Sequence, residues 1–423
     1  MTSSLPWQRV TDALREYFAK IRQFNTNIRL YFLGSVLSGI AQGIFGVTFN
    51  LYVLSVGIQP DELGQILSAG PFAHAVAAIP IGFLGEWFGF RWAFVLIYAV
   101  AGLAQLAQVA TASPYAIAAG AFVGGLALAG NFVVGMPFMA TNSGAEERAH
   151  VFSISSLLHS LTFALGALLG GYLPNVLSRF VADSSLQYRY ALFVAGVLTL
   201  ASTVPVAFIS AKVRRHERKV SLKPYLWGID GFTVRSAGIE LFIGATLGLI
   251  VPFMNLYFIY HLGSSREIYG TIEALTIIFT SLAAGVGPML VQRLGDARAI
   301  AVGRWLIPFA TLTLALSGSV AAGTAGYWGY RTFFTMSQSL WLAYAMGNAA
   351  ARAKVAVSAW LEITFWLGQA IAAIVTGALL AADNYRMPFV LSTATAVVTA
   401  ILTLAFFKWR ASRAPVAPAE AGV

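Results

Sequence analysis

The chain has 423 residues, 58% of them hydrophobic and only 10% charged, with no cysteine. A soluble protein carries roughly 25% charge, so a water-covered globule is excluded, and the missing cysteine rules out disulfides, thiolate catalysis and cysteine-ligated metal. A net charge of +10 would suit nucleic acid, but the charges are placed as a membrane topology signal, and no nucleic-acid partner is expected.

In chain order, residues 1–28 read as a cytoplasmic amphipathic arm. Ser4 is its N-cap, and Pro6 sits in the first turn. Leu14, Tyr17, Phe18, Ile21 and Phe24 share one face, so the arm suits the lipid headgroup layer. An arm that serves topology alone fits equally well. The stretch does not read as a cleaved signal peptide.

Charge-free runs then follow one another, most of about 20 residues, the length that crosses the hydrocarbon core. Twelve helices are predicted, at 29–56, 62–84, 92–110, 115–139, 151–173, 188–211, 236–262, 267–291, 299–319, 323–346, 356–380 and 387–408. The fold class is therefore an all-α integral membrane protein of twelve transmembrane helices in two pseudo-symmetric six-helix bundles. The bundles span 29–211 and 236–408, a basic cytoplasmic linker occupies 212–235, and 409–423 form a cytoplasmic tail. With the N-terminus inside, 22 of the 27 Lys and Arg fall on the inner side and four (Arg179, Arg189, Arg266, Arg386) outside, with Arg331 inside a span. This asymmetry predicts a multi-pass protein of the cell membrane with both termini cytoplasmic; a monomer is expected.

The two halves repeat. Asn50-Leu51-Tyr52 recurs as Asn255-Leu256-Tyr257, 205 residues later, and Gly39 and Gly43 precede the first as Gly244 and Gly248 precede the second. Gly57 is echoed by Gly263, the segment Asp61 to Ile66 by Glu267 to Ile272, and Arg148-Ala149-His150-Val151 by Arg352-Ala353-Lys354-Val355. A same-direction duplication of hydrophobic spans marks a carrier that rocks two similar bundles about a central site.

After the second span comes Gly82-Phe83-Leu84-Gly85-Glu86-Trp87-Phe88-Gly89-Phe90-Arg91. It resembles the loop signature of the major facilitator superfamily, a Gly-x-Leu-x-acid-x-x-Gly-x-basic pattern between helices 2 and 3. Gly82, Leu84, Glu86, Gly89 and Arg91 fill its key places, with Gly89 making the turn and Glu86 and Arg91 forming a cytoplasmic latch. The second-half copy, Leu290 to Gly295, carries Gln292 where the acid belongs. Gly166 to Gly171 looks like the antiporter signature of the family's drug exporters, with Ala167 in place of its proline, and helix 4 lacks an Arg near Ala121. The resemblance implies that helices 1, 4, 7 and 10 line the cavity and that 2, 5, 8 and 11 form the interface between bundles.

Ionisable groups at bilayer depth are costly and rare, which makes each a functional candidate. Arg331, whose planar fork suits a carboxylate or phosphate, leads the substrate-binding candidates. It is joined by Gln42, Asn131, Asn255, Gln338, Tyr330 and Phe334. Glu273, Glu362, His74 and His159 are the proton-coupling candidates. For Arg331 and Glu273 a fixed ion pair is the alternative, and for the histidines a neutral hydrogen-bonding role. Glu240, Arg304 and Glu362 lie near the inner surface, where snorkelling to the headgroups is expected of Arg304. Asn50 and Asn255 match in the two repeats and are assigned, with Glu86 and Arg91, to gating; helix–helix bonding is the alternative.

No phosphate-binding loop, metal cluster or nucleophile triad is present, so no enzyme, cofactor or metal is expected. The expected function is a secondary transporter that moves a small organic solute, anionic or amphipathic, by alternating access with proton coupling. Multidrug efflux by proton antiport is the alternative. A lipid translocator or non-transporting sensor on the same fold is the alternative of another class.

Overall fold

The computed structural model describes residues 24–78, 80, 84–210 and 229–412, and among these all regular structure is helical. In chain order the helices are α1 (Thr26–Ser55), α2 (Pro60–Ala77), α3 (Leu84–Val109), α4 (Pro114–Asn142), α5 (Arg148–Leu177) and α6 (Ser184–Ala201, then Thr203–Ala207). The second half repeats the series as α7 (Gly231–Gly248, continuing brokenly to His261), α8 (Arg266–Ala284, then Gly287–Leu294), α9 (Asp296–Leu316), α10 (Val320–Asn348), α11 (Lys354–Ala381) and α12 (Met387–Ala411). Ten of these units are long and apolar enough to cross a membrane. The other two, α2 and α10, occupy the second and tenth places. The described part of α2 is short and opens on Asp61 and Glu62, and α10 is diluted by Gly, Ser, Thr and Arg331. Large apolar side chains such as Leu282, Phe309 and Leu316 are exposed, as a surface facing hydrocarbon requires. The protein is a multi-pass, all-α membrane protein.

Three expected continuous spans are interrupted. In α7, Pro252 supplies no backbone N–H, and the chain tightens to a 3₁₀ turn at Val251–Phe253 before a π turn at Tyr257–His261. In α8 the break falls at Gly285 and Val286, just before Gly287 and Pro288. Helix α6 is offset at Ser202, shortly before Pro205, and ends at Ala207 rather than 211. The expected arm, most of the linker and most of the tail lie outside the described residues.

The duplication is visible in backbone and packing alike. Positive φ occurs at Gly57 (90°) and Gly263 (66°), and again at Gly89 (71°) and Gly295 (75°), each pair 206 residues apart. Gly89 breaks the helical path within α3, the turn expected of the loop signature. In the first half α1 packs on α5 and α6, α4 on α2 and α3, and α3 on α6. In the second half α7 packs on α11 and α12, α10 on α8 and α9, and α9 on α12, the same scheme advanced by six helices. The halves meet chiefly through α2 against α11 and α5 against α8.

Those two crossings contain no side chains at their closest points. A Cβ on Gly64 would stand 2.8 Å from the Gly377 Cα, and one on Gly171 would stand 2.8 Å from the Arg266 carbonyl and 3.1 Å from the Gly270 Cα. Gly64 matches Gly270 and Gly171 matches Gly377 at the 206-residue offset. Both crossings lie at the end of the bundle where α1 finishes and α2 begins. Backbone pressed on backbone leaves no soft group to yield, and overpacking costs about 1–3 kcal/mol. Gly64→Ala and Gly171→Ala should therefore each disfavour this closed end by a factor on the order of ten. Spin labels on cysteines at Ala182 and Ala382, exposed on the two halves, should report a longer distance in both variants. No background thiol interferes, because the chain has none.

Candidate functional site

The end of the bundle bearing Asn50 is sealed by the repeated tripeptides. The break in α7 leaves the Pro252 carbonyl without its helical partner, and Asn50 Nδ2 donates to it at 2.6 Å. The same Nδ2 donates to Asn255 Oδ1 at 2.9 Å, while Asn255 Nδ2 donates to the Val47 carbonyl at 3.0 Å. Each asparagine thus reaches the other half, and both are almost fully buried. The tyrosines of the tripeptides also act alike. Tyr52 Oη donates to the Val109 carbonyl at the end of α3, and Tyr257 Oη to the Leu314 carbonyl near the end of α9. Arg266, at the start of α8, adds a cation–π contact 5.2 Å over the Tyr188 ring of α6.

Beneath this seal lies a cavity of about 420 Å³ between the halves. Its α1 wall runs from Asn50 back to Gln42, eight residues or roughly 12 Å of helix. Phe45 and Phe49 stack on that wall, ring centroids 4.5 Å apart. Gln105, Gln108 and Gln369 add amides, and Glu273, Tyr269 and His74 add titratable groups. Among the described residues no lysine or arginine lines it, and Glu273 carries the one carboxylate on its wall.

Glu273 is 8% exposed and is held by the second half. Its Oε2 accepts from Tyr327 Oη of α10 at 2.8 Å and from Tyr269 Oη, one turn earlier on α8, at 3.5 Å. The alternative reading, a direct ion pair with Arg331, does not form, and Arg331, expected to lead the substrate-binding residues, does not line the cavity; its Nε is buried without a hydrogen-bond partner. Its charge still acts on this cluster at longer range.

Across the cavity His74 stacks on Trp366 of α11, centroids 4.4 Å apart, with Nδ1 against the Gly70 carbonyl at 3.1 Å. Trp366 Nε1 donates to Glu362 Oε2 at 2.8 Å, so Glu362 reaches the cavity only through that indole. On the other crossing the hydroxyls of Ser160 (α5) and Ser281 (α8) bond at 2.9 Å.

Several expected lining residues are elsewhere. Tyr330 and Phe334 face inward within the second half and belong to its apolar core. Their helix, α10, supplies no cavity residue, because its large rings fill the space against α7, α9 and α12. Asn131 accepts from Tyr98 Oη at 3.2 Å, and His159 lies against Phe163; neither lines the cavity. Asn255 is spent on the seal. Gln338 bridges two buried charges: its Oε1 accepts from Arg304 Nη2 at 2.8 Å, and its Nε2 donates to Glu240 at 3.0 and 3.1 Å. Arg304 does not snorkel, being 1% exposed, since the opposing carboxylate on α7 draws it inward. In the loop signature Arg91 is exposed and lies 5.1 Å over the Trp92 ring, while the Glu86 side chain lies outside the described residues.

Gln105, Gln108, Gln369 and Trp366 are cavity residues that sequence reasoning passed over. The usable signal was a glutamine inside a charge-free span, but which face it occupies depends on helix rotation.

Removing one member of a buried charge pair strands the other and costs about 3–5 kcal/mol. Arg304→Met should lower the melting temperature of the detergent-solubilised protein markedly, and Arg304→Met with Glu240→Met should recover most of the loss. Asn255→Ala removes two cross-half hydrogen bonds, each worth about 1 kcal/mol. A double-mutant cycle with Asn50→Ala, read from the same label distance across the sealed end, should return a coupling of that size.

The family model for the Major Facilitator Superfamily matches residues 31–234. An uncharacterized MFS-type transporter of Bacillus subtilis (strain 168), YfkF, is 28% identical over 159 residues, which is 38% of this chain and 40% of that protein. The fold resembles the crystal structure of a bacterial homolog of the human lysosomal transporter Spinster in an inward-facing, unoccupied conformation, with TM-score 0.75 and 14% identity over 93% of this chain and 98% of that one. It also resembles the nucleoside transporter NupG, with TM-score 0.72 and 14% identity over 91% and 99%. With the repeated bundles, the sealed end and the loop signature, these matches show a chain similar to the major facilitator superfamily, the family model covering residues 31–234 and the fold likeness extending over both halves.

Proposed function

We propose that this protein is a monomeric secondary transporter of the cell membrane that moves a small amphipathic organic solute by alternating access, with protons as the coupling ion. The observation that carries this reading is the cavity of about 420 Å³ lying between two repeated bundles and shut at one end by the Asn50–Asn255 bridge and two glycine crossings. The moving bodies are residues 29–211 and 236–408, joined by 212–235. The Lys/Arg asymmetry makes the sealed end the outer one, so this conformation is inward-facing, with both termini cytoplasmic. In the opposite state the seal parts, and Glu86 and Arg91 latch the cytoplasmic side.

Among the proton-coupling candidates Glu273 is favoured. Among the described residues it alone joins a carboxylate to the cavity wall, and it sits one turn below Gly270, where α8 crosses α5. Gain or loss of a proton there changes the bonds that hold α8 to Tyr327 of α10, and so bears on the crossing. His74 is the second candidate, through its stack on Trp366. Of the substrate-binding candidates, Gln42 is retained on the cavity wall. An anionic cargo finds no cation there, whereas aromatic and amide walls suit an amphipathic one.

Proteoliposomes test this. With Glu273→Gln, exchange of bound solute between two pools should continue while accumulation driven by an imposed pH gradient is lost. Accumulation at the wild-type rate excludes Glu273 as the proton carrier. Absence of flux for every solute in a broad panel removes the transport reading and leaves a sensor on a transporter fold, and flux of chemically unrelated hydrophobic solutes selects the efflux alternative.

A further inference from the structure

Resting on that transport reading, we propose a cargo class: an organic cation, an ammonium group on an apolar or aromatic body, recognised by the Oε1 oxygen of Glu273. Three observations carry it. Both hydroxyls that bind Glu273, those of Tyr327 and Tyr269, reach Oε2, and Oε1 is left without a protein partner on the cavity wall. A carboxylate oxygen open to a partly desolvated cavity is best satisfied by a donor that brings positive charge, because charge-assisted hydrogen bonds are about twice as strong as neutral ones.

The rest of the wall supports a cation as well. Phe45, Phe49, Phe163 and Trp366 present aromatic surface, and the electron-rich face of such rings attracts ammonium groups. Free acceptor oxygens occur in two amides, for Gln42 Nε2 and Gln108 Nε2 donate to Ser38 and to the Ala104 carbonyl and leave their oxygens unspent. An ammonium group can donate to all of these, whereas a carboxylate cannot.

The charged and titratable groups around Glu273 are Arg331 and Tyr327 on α10, Tyr269 on α8 and His74 across the cavity. Arg331 offsets the carboxylate charge at long range, but it offers no atom to the cavity and so cannot receive an anion there. The repeat sharpens the assignment. At the 206-residue offset Glu273 corresponds to Leu67, which also lines the cavity, so the two halves present one acid and one apolar side chain to the cargo. A cation with an apolar flank matches that asymmetry.

The test uses the full chain in nanodiscs and three probes on one scaffold: naphthylmethylamine, naphthalenemethanol and naphthoate. Calorimetric titration should show the amine binding on the order of tenfold tighter than the alcohol, and naphthoate binding weakest. In Glu273→Gln the amine-to-alcohol ratio should fall to about one, with a melting temperature near wild type as the folding control. Tightest binding of naphthoate, survival of the amine preference in Glu273→Gln, or binding of none of the three overturns the assignment. The two readings fail separately. Selective amine binding without flux of any solute sinks transport and leaves the cation site, whereas coupled flux of anions sinks the cation site and leaves transport.

Discussion

A break in a membrane helix must have its freed backbone groups satisfied from within the protein, because hydrocarbon offers no hydrogen bonds. Pro252 makes such a break in α7, and Asn50 of the opposite half answers it. That one constraint ties a local defect to the relation between the bundles. With the halves together at this end, the Pro252 carbonyl is paired across the interface. Closure is thus built into the backbone chemistry of the proline turn, and Asn255 completes it by reaching Val47 in return.

Around the seal the structure is almost symmetric, and deeper in it is not. The turns at Gly57 and Gly263, the tyrosine-to-carbonyl bonds of Tyr52 and Tyr257, and the crossings at Gly64/Gly377 and Gly171/Gly270 all obey the repeat. The chemistry does not. Glu273 faces Leu67 as its counterpart, and the His74–Trp366 stack occupies the place that Ser160, Thr280 and Ser281 occupy on the other crossing. The shared parts make two bodies that meet equally well along both interfaces. The divergent parts give the cavity a carboxylate, Glu273, on one half and an imidazole, His74, on the other, at places where the repeat has Leu67 and Thr280.

The buried Arg304–Gln338–Glu240 bridge belongs to the second half alone. Two charges away from water cost several kcal/mol each, and one amide satisfies part of both. Its effect is to bind α7, α9 and α10 into one unit. The aromatic side chains of α10 serve the same unit by filling its core.

The sequence by itself was enough for the class and the plan: hydrophobic spans of crossing length, their duplication, the Gly89 turn, and the matched asparagines. These are legible because each rests on a local rule, either a helix length set by bilayer thickness, a positive φ that favours glycine, or a repeat counted along the chain. The inward faces were not legible. Tyr330, Phe334, Arg331 and Gln338 read as cavity residues, yet only the rotation and packing of α10 decide that none of them lines it. Arg304 read as a snorkelling cation until Glu240 and Gln338 were brought to it from helices 64 and 34 residues away. Which polar group meets a cargo and which meets another helix is a tertiary outcome, because in a hydrophobic bundle a quarter-turn of one helix exchanges the two.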